Sequence, residues 1–282
     1  MKLSTFIANG HTSWGVVQND KVFDVGAALA SRYADLKAAI ASGFEGVGSA
    51  MEGAKSYELA EVTWLPVVPN PDKILCVGLN YEMHRQETGR SEVEHPTIFA
   101  RYANSQTGHL APIIRPKVST ELDFEGELAV IIGKAGRYIS RENAMSHIAG
   151  YACYNDGSVR DYQRHTIQFT PGKNFPDTGA FGPWMMTPDE LGPLANLRIQ
   201  TRLNGQVVQE ARFGQMIFDI PKQIEYISSF TRLEPGDVIV SGTPGGVGAK
   251  RNPPLWMKPG DVVEVDIEGL AVLKNSIVDE QR

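Results

Sequence analysis

Residues 121–128 read Glu-Leu-Asp-Phe-Glu-Gly-Glu-Leu and run without a break into the apolar stretch 128–132. At the strand period of two, Asp123, Glu125 and Glu127 leave one face, while Leu122, Phe124 and Gly126 leave the other. The apolar run that follows has strand length and calls for burial. Three like charges at the mouth of a core strand repel one another, at a cost that grows as water is excluded. Two resolutions are open: a solvated edge strand with a charged face, or a divalent cation. Oxygen-only donors suit Mg²⁺, Mn²⁺ or Ca²⁺ in preference to zinc. Asp156 stands at the end of another apolar strand, 151–154, in the turn Asn155-Asp156-Gly157. It is the candidate third ligand.

A chain of 282 residues with 42% apolar and 21% charged residues can bury such a strand without disulfides. The same composition excludes disordered, collagen-like and coiled-coil classes. A net charge of −6 is the wrong sign for a nucleic-acid backbone, so no nucleic-acid partner is expected. Cys76 and Cys153 form no Cys-x-x-Cys pair, which suits a reducing compartment. The first residues lack the apolar core of a signal peptide, and no run nears the roughly 18 residues of a membrane span. A cytoplasmic protein with no membrane partner is the expectation.

Residues 1–65 read as a small N-terminal α+β domain. Strands at 3–8, 12–18 and 21–25 are joined by the tight-turn pairs Asn9-Gly10 and Asn19-Asp20. A helix over 34–42 with Gly43 at its C-cap follows, then a weaker helical pattern over 47–59. Residues 65–71 carry three prolines, a stiff linker that sets the boundary with a larger domain, 66–282. There the pattern predicts strands at 73–77, 128–132, 151–154 and 197–203, and helices at 141–148 and 221–230. Pro-Gly-Asp-Val occurs at 235–238 and 259–262, each time as a turn feeding a strand. Without β-α-β alternation the fold class is α+β, a mixed domain around a rolled sheet. The glycine-rich segment 241–248 lacks both a Gly-Lys-Ser/Thr and a G-x-G-x-x-G spacing, which argues against a nucleotide loop.

Taken in order, several segments resemble the fumarylacetoacetate hydrolase family: Gly78-Leu-Asn-Tyr-x-x-His84-x-x-Glu87, Asp123-Phe-Glu-Gly-Glu-Leu128, Asp156 with Arg160-Asp161 and Gln163, Pro171-Gly-Lys173, and Ser241-Gly-Thr-Pro-Gly-Gly-Val-Gly248. The resemblance implies a β-roll or barrel-like catalytic domain and a homodimer, for which the apolar segment 213–220 offers a face. It implies that Glu125, Glu127 and Asp156 hold Mg²⁺ or Mn²⁺, with Ca²⁺ able to replace it in crystals. Lys173 then adds a positive charge at a developing enolate, and His84 with Glu87 forms a dyad that deprotonates water. Thr243 and the amides of Gly245 and Gly246 would bind a substrate carboxylate, and Gln163 would reach the same cleft. Arg101 stands where many relatives carry lysine, and its planar fork suits a second carboxylate or an ion pair with Glu92 and Glu94. Arg160 beside Asp161 reads as a local ion pair or a helix start. The implied activity is hydrolysis of a C–C bond in an acylpyruvate-type 1,3-dicarbonyl acid, as in aromatic catabolism. The alternative on the same scaffold is a decarboxylase, isomerase, tautomerase or hydratase of 2-oxo acids.

Overall fold

The apolar run behind the carboxylates forms the strand Gly126–Ile132, all of it buried. In the computed structural model, which describes residues 1–89 and 91–281, it lies between Ile148–Asp156 and Val238–Val240, antiparallel to both. Its alternate side chains feed two separate cores. Leu128, Val130 and Ile132 join Tyr151, Cys153, Ile199 and Val265 on one face. Ala129 and Ile131 join Ala152, Tyr154, Leu36 and Ile40 on the other. A strand covered on both faces has no polar side to show, which is why the sequence there is continuously apolar.

This strand is one of twelve in a single mixed sheet. The sheet runs from Ser56–Glu58 through the three N-terminal strands to Gly179–Met186, Ile148–Asp156 and Gly126–Ile132, then by Val238–Val240 and Ile74–Gly78 to Thr97–Arg101. The first strand, Lys2–Ala8, pairs antiparallel with Gly179–Met186, so the sheet is continuous across residues 1–65 and the rest. A second sheet of five strands, including Arg198–Leu203, Val262–Ile267 and Ala271–Asp279, packs over one face. The short N-terminal helices cover part of the other face, where Leu36–Ala41 is capped by the Asp35 carboxylate on the Ala38 amide, 2.8 Å. The architecture is α+β and dominated by sheet.

The rolled sheet stays open among the described residues, its path ending at Ser56–Glu58 and Thr97–Arg101. Two expectations need correction. The helix expected over 141–148 is a 3-10 turn, Ala144–His147, and Ile148 already opens a strand. Ile148 pairs with Ile132 there, and this long-range pairing outweighs a local pattern that Asn143, Ser146 and His147 support only weakly. The helix expected over 47–59 stops at Val47–Ala50; Gly53 then turns at φ 82° and Ser56–Glu58 pairs with Lys21–Phe23. The helix Ile220–Phe230, with proline in its first turn and Asp219 as cap, matches its expected range within a residue. No helix among the described residues is long and apolar enough to cross a membrane.

Gly157 links Ile148–Asp156 to the short strand Ser158–Val159. A Cβ there would sit 2.1 Å from the Thr178 carbonyl oxygen, a backbone atom that cannot swing aside. Gly157→Ala is expected to lose about 1–3 kcal/mol as the strands shift. Urea unfolding monitored by tryptophan fluorescence checks this; an unchanged midpoint would contradict the close packing.

Candidate active site

The regular alternation of carboxylates breaks at residues 124–125. Leu122–Asp123 pairs with Ser158–Val159 in a separate two-stranded ladder, and the main sheet resumes only at Gly126. Glu127 and Asp156 therefore share the face that carries Ala129, Ile131 and Tyr154, while Asp123 is diverted. One carboxylate oxygen from each of Glu125, Glu127 and Asp156 falls within 4.8 Å of the others, and all three residues are buried. Asp123 holds protein groups only. Its Oδ1 accepts the Gly248 amide at 2.8 Å, and its Oδ2 accepts the Ala249 amide at 2.9 Å and Arg160 Nε at 2.8 Å.

Three cations answer these charges. Lys173, at the end of the turn Thr170–Lys173, donates to Glu125 Oε2 at 2.7 Å and Asp156 Oδ2 at 2.6 Å. Arg160 pairs with Glu125 Oε1 across 2.7 Å. Arg101 donates to Asp156 Oδ1 at 2.5 Å. Four buried carboxyls thus meet three buried cations, and Glu127 is the one left without a cation. Its Oε2 accepts only the amide of Gly242, 2.6 Å away, whose φ of 104° is open to glycine and turns the N–H inward. Burial, with the nearby charges of Asp156 and Glu125, pushes the Glu127 carboxyl well above its usual range. Glu125 behaves oppositely: burial opposes its charge, but Lys173 and Arg160 hold its carboxyl well below that range. Burial also opposes the Lys173 charge, yet Asp156 and Glu125 leave its ammonium harder to deprotonate than usual. An all-oxygen donor set with one charge too many fits a hard divalent cation such as Mg²⁺ or Mn²⁺.

The histidine–glutamate pair forms as expected on the helix Glu82–Thr88. His84 Nδ1 lies 2.7 Å from Glu87 Oε1, a contact suited to the tautomer that carries its proton at Nδ1 and presents Nε2 as an acceptor. The helix is set against the glycine-rich loop by Asn80, whose side-chain amide donates to the Ser241 and Phe218 carbonyls at 2.7 and 2.9 Å.

A cavity of about 300 Å³ opens over this floor. Of the residues expected in the site, Glu125, Glu127, His84, Lys173, Gln163 and Thr243 line it. Asp156 lies beneath, under Lys173, and Glu87 stands behind His84. Arg101, Gly245 and Gly246, expected to contact substrate, do not line it. Arg101 is buried with its guanidinium spent on Asp156, the Gly157 carbonyl and Thr178 Oγ1. It pairs with neither Glu92 nor Glu94. The Gly246 amide donates to Glu87 Oε2 at 2.9 Å, so this loop braces the dyad. At Gly245 a Cβ would press on Met83 Cβ at 3.0 Å, so the glycine lets the loop lie against the helix. Arg160 is more than a local ion pair: it lines the cavity and ties Asp123 to Glu125. The apolar wall of Val77, Phe99, Phe169 and Val247 carries no motif that would mark it in advance.

Fold and floor together define an enzyme built around a buried carboxylate centre. A family model described as fumarylacetoacetate (FAA) hydrolase, C-terminal, matches residues 73–278, and the chain belongs to the fumarylacetoacetate hydrolase family. It is 42% identical over 221 residues to the Bos taurus oxaloacetate tautomerase FAHD2A, mitochondrial, covering 78% of this chain and 70% of that one. Among solved structures it resembles the fumarylacetoacetate hydrolase of Exiguobacterium antarcticum, with TM-score 0.87 and 33% identity over 99% of this chain and 100% of that one. It also resembles the maleylpyruvate hydrolase of Sphingobium sp. SYK-6 in complex with manganese(II) and pyruvate, with TM-score 0.83 and 29% identity over 100% of both chains.

The raised Glu127 carboxyl sets the sign of a pH effect. Its retained proton stabilises the metal-free fold at acid pH, and that contribution is lost as pH rises through the native value. A cation on the same oxygens must displace the proton. The rise in Tm on adding Mn²⁺ is therefore expected to grow from pH 5.5 to pH 8. Glu127→Gln should raise the metal-free Tm at pH 8 and remove the Mn²⁺ increment. Scanning calorimetry reads both; a Mn²⁺ increment independent of pH would contradict the assignment.

Proposed function

We propose that this chain is a divalent-metal-dependent tautomerase or isomerase of 2-oxo dicarboxylic acids of the oxaloacetate type. The observation that carries this reading is the placement of one braced base, His84, and one buried ammonium, Lys173, on the lining of a cavity floored by three carboxylates. The likeness to an oxaloacetate tautomerase supports it. Hydrolysis of an acylpyruvate-type acid, foremost in the sequence, becomes the second reading, favoured by the same dyad because a base that accepts a proton from carbon can accept one from water.

Interconversion of keto and enol forms moves one proton between C3 and the C2 oxygen and consumes no water. Glu125, Glu127 and Asp156 would hold Mg²⁺ or Mn²⁺, which supplies Lewis acidity to a chelating 2-oxo acid. His84 Nε2 accepts the C3 proton, and the Glu87 carboxylate at Nδ1 offsets the charge that appears on the ring. The Lys173 ammonium stabilises negative charge developing on the oxygen. His84 then returns its proton to that oxygen. Gln163 and Thr243 face the substrate from the walls. Thr243 is oriented by the Gln209 amide at 2.8 Å and by its own bond to the Gly126 carbonyl at 3.0 Å.

Two further expectations stand with this proposal. The buried, unbridged Cys76 and Cys153 support a cytoplasmic setting. For a homodimer, the segment 213–220 is divided: Phe213, Phe218 and Ile220 are in the core, and Ile217, 37% exposed, is left to meet a partner.

The test follows the enol absorbance of oxaloacetate. Mg²⁺ or Mn²⁺ should accelerate its decay, excess chelator should abolish the effect, and products by mass should show no cleavage. His84→Ala should lower kcat by roughly 10²–10⁴, the usual worth of a positioned base, with little change in KM. Full rate in chelator would overturn the reading. Stoichiometric cleavage of an acylpyruvate, with oxaloacetate untouched, would establish the hydrolase instead.

A further inference from the structure

The cavity runs from a buried acidic floor to an open rim, and the rim is basic. Arg164 and Lys250 are both exposed and both line the cavity. Between floor and rim the wall is uncharged, with Val77, Phe99, Phe169 and Val247 beside the neutral polar side chains of Gln163 and Thr243. The cations in the cavity differ in what they already hold. Arg160 and Lys173 are spent on Asp123, Glu125 and Asp156. Arg164 pairs with Glu121. Among the described residues Lys250 has no ion pair and its side chain makes no hydrogen bond.

The backbone under Lys250 is nevertheless fixed. The residues just before it, Gly248 and Ala249, donate their amides to the Asp123 carboxylate, which also holds Arg160 against the floor. At Gly248 a Cβ would lie 1.9 Å from the Leu255 carbonyl oxygen, so the turn Gly248–Lys250 is packed tightly. One buried carboxylate thus sets both the guanidinium at the floor and the base of the lysine at the rim. Arg164 follows Arg160 by one helical turn, about 6 Å along the axis. The second charge of a diacid whose first end lies on the floor would meet only uncharged wall unless it reached these cations. Leaving an unpaired carboxylate there is costly.

We propose that Lys250, with Arg164 in a lesser part, is a specificity-determining residue that receives the distal carboxylate of a 2-oxo dicarboxylate. The proposal rests on the reading that the other end of such an acid is bound at the carboxylate centre. It makes the diacid, and not the 2-oxo monoacid, the preferred ligand.

Matched acids of equal carbon number test it: 2-oxoglutarate, which has the distal carboxylate, and 2-oxopentanoate, which has a methyl group in its place. Each is titrated calorimetrically into the Mn²⁺-loaded full chain. The wild-type protein should favour 2-oxoglutarate by up to about fivefold, the upper worth of a partly exposed ion pair. Lys250→Met should bring the two affinities together by weakening 2-oxoglutarate alone, with 2-oxopentanoate and Mn²⁺ affinities unchanged. Lys250→Glu should invert the preference. Equal wild-type affinities, or a preference that survives Lys250→Met, would overturn the proposal. Neither titration needs turnover. A protein that discriminates through Lys250 but fails to interconvert oxaloacetate refutes the catalytic reading alone, and one that interconverts it without this preference refutes the present proposal alone.

Discussion

Four carboxyls and three cations share the buried centre of this protein, and the odd charge organises what surrounds them. Asp123, Glu125 and Asp156 each have a guanidinium or ammonium within ion-pair distance, and Glu127 has only a backbone amide. A buried carboxyl in that position either keeps its proton or takes a cation. The surrounding structure is arranged to leave that choice open. The strand that carries Glu127 is locked between two neighbours and two cores, which fixes the backbone from which the carboxyl reaches the cavity floor. The glycine at 242 brings a donor to its oxygen but no countercharge.

The parts of the site that were legible in the sequence are those written as local pattern. Glu125, Glu127 and Asp156 stand at a strand mouth and a strand end, where carboxylates beside apolar runs are conspicuous. His84 and Glu87 lie three apart, and on a helix that spacing alone brings them into contact. Lys173 and the glycine-rich loop were recognisable through their order along the chain. What was not legible depends on pairing between distant segments. Asp123 shares the alternation with Glu125 and Glu127 and differs only because Leu122–Asp123 joins a different ladder. Arg101 carries a fork suited to a carboxylate, and it does bind one, but the carboxylate is the protein's own Asp156. The Gly246 amide was offered to a ligand and serves Glu87.

The fold shows the same division. Short strands bounded by Asn-Gly or Pro-Gly turns were readable because turn and strand agree locally. The segment 141–148 was misread because its strand exists through pairing with Gly126–Ile132, which no local window contains. The open path of the large sheet is likewise a property of which strands meet, and hydrophobic period does not encode it.

Lys173 places its ammonium between Glu125 and Asp156, on two of the three carboxylates that converge at the floor. A positive charge on a four-carbon tether is thus a resident placeholder. The core therefore carries part of its own counter-charge, covalently attached, and the repulsion between Glu125 and Asp156 is offset by a group that cannot diffuse away.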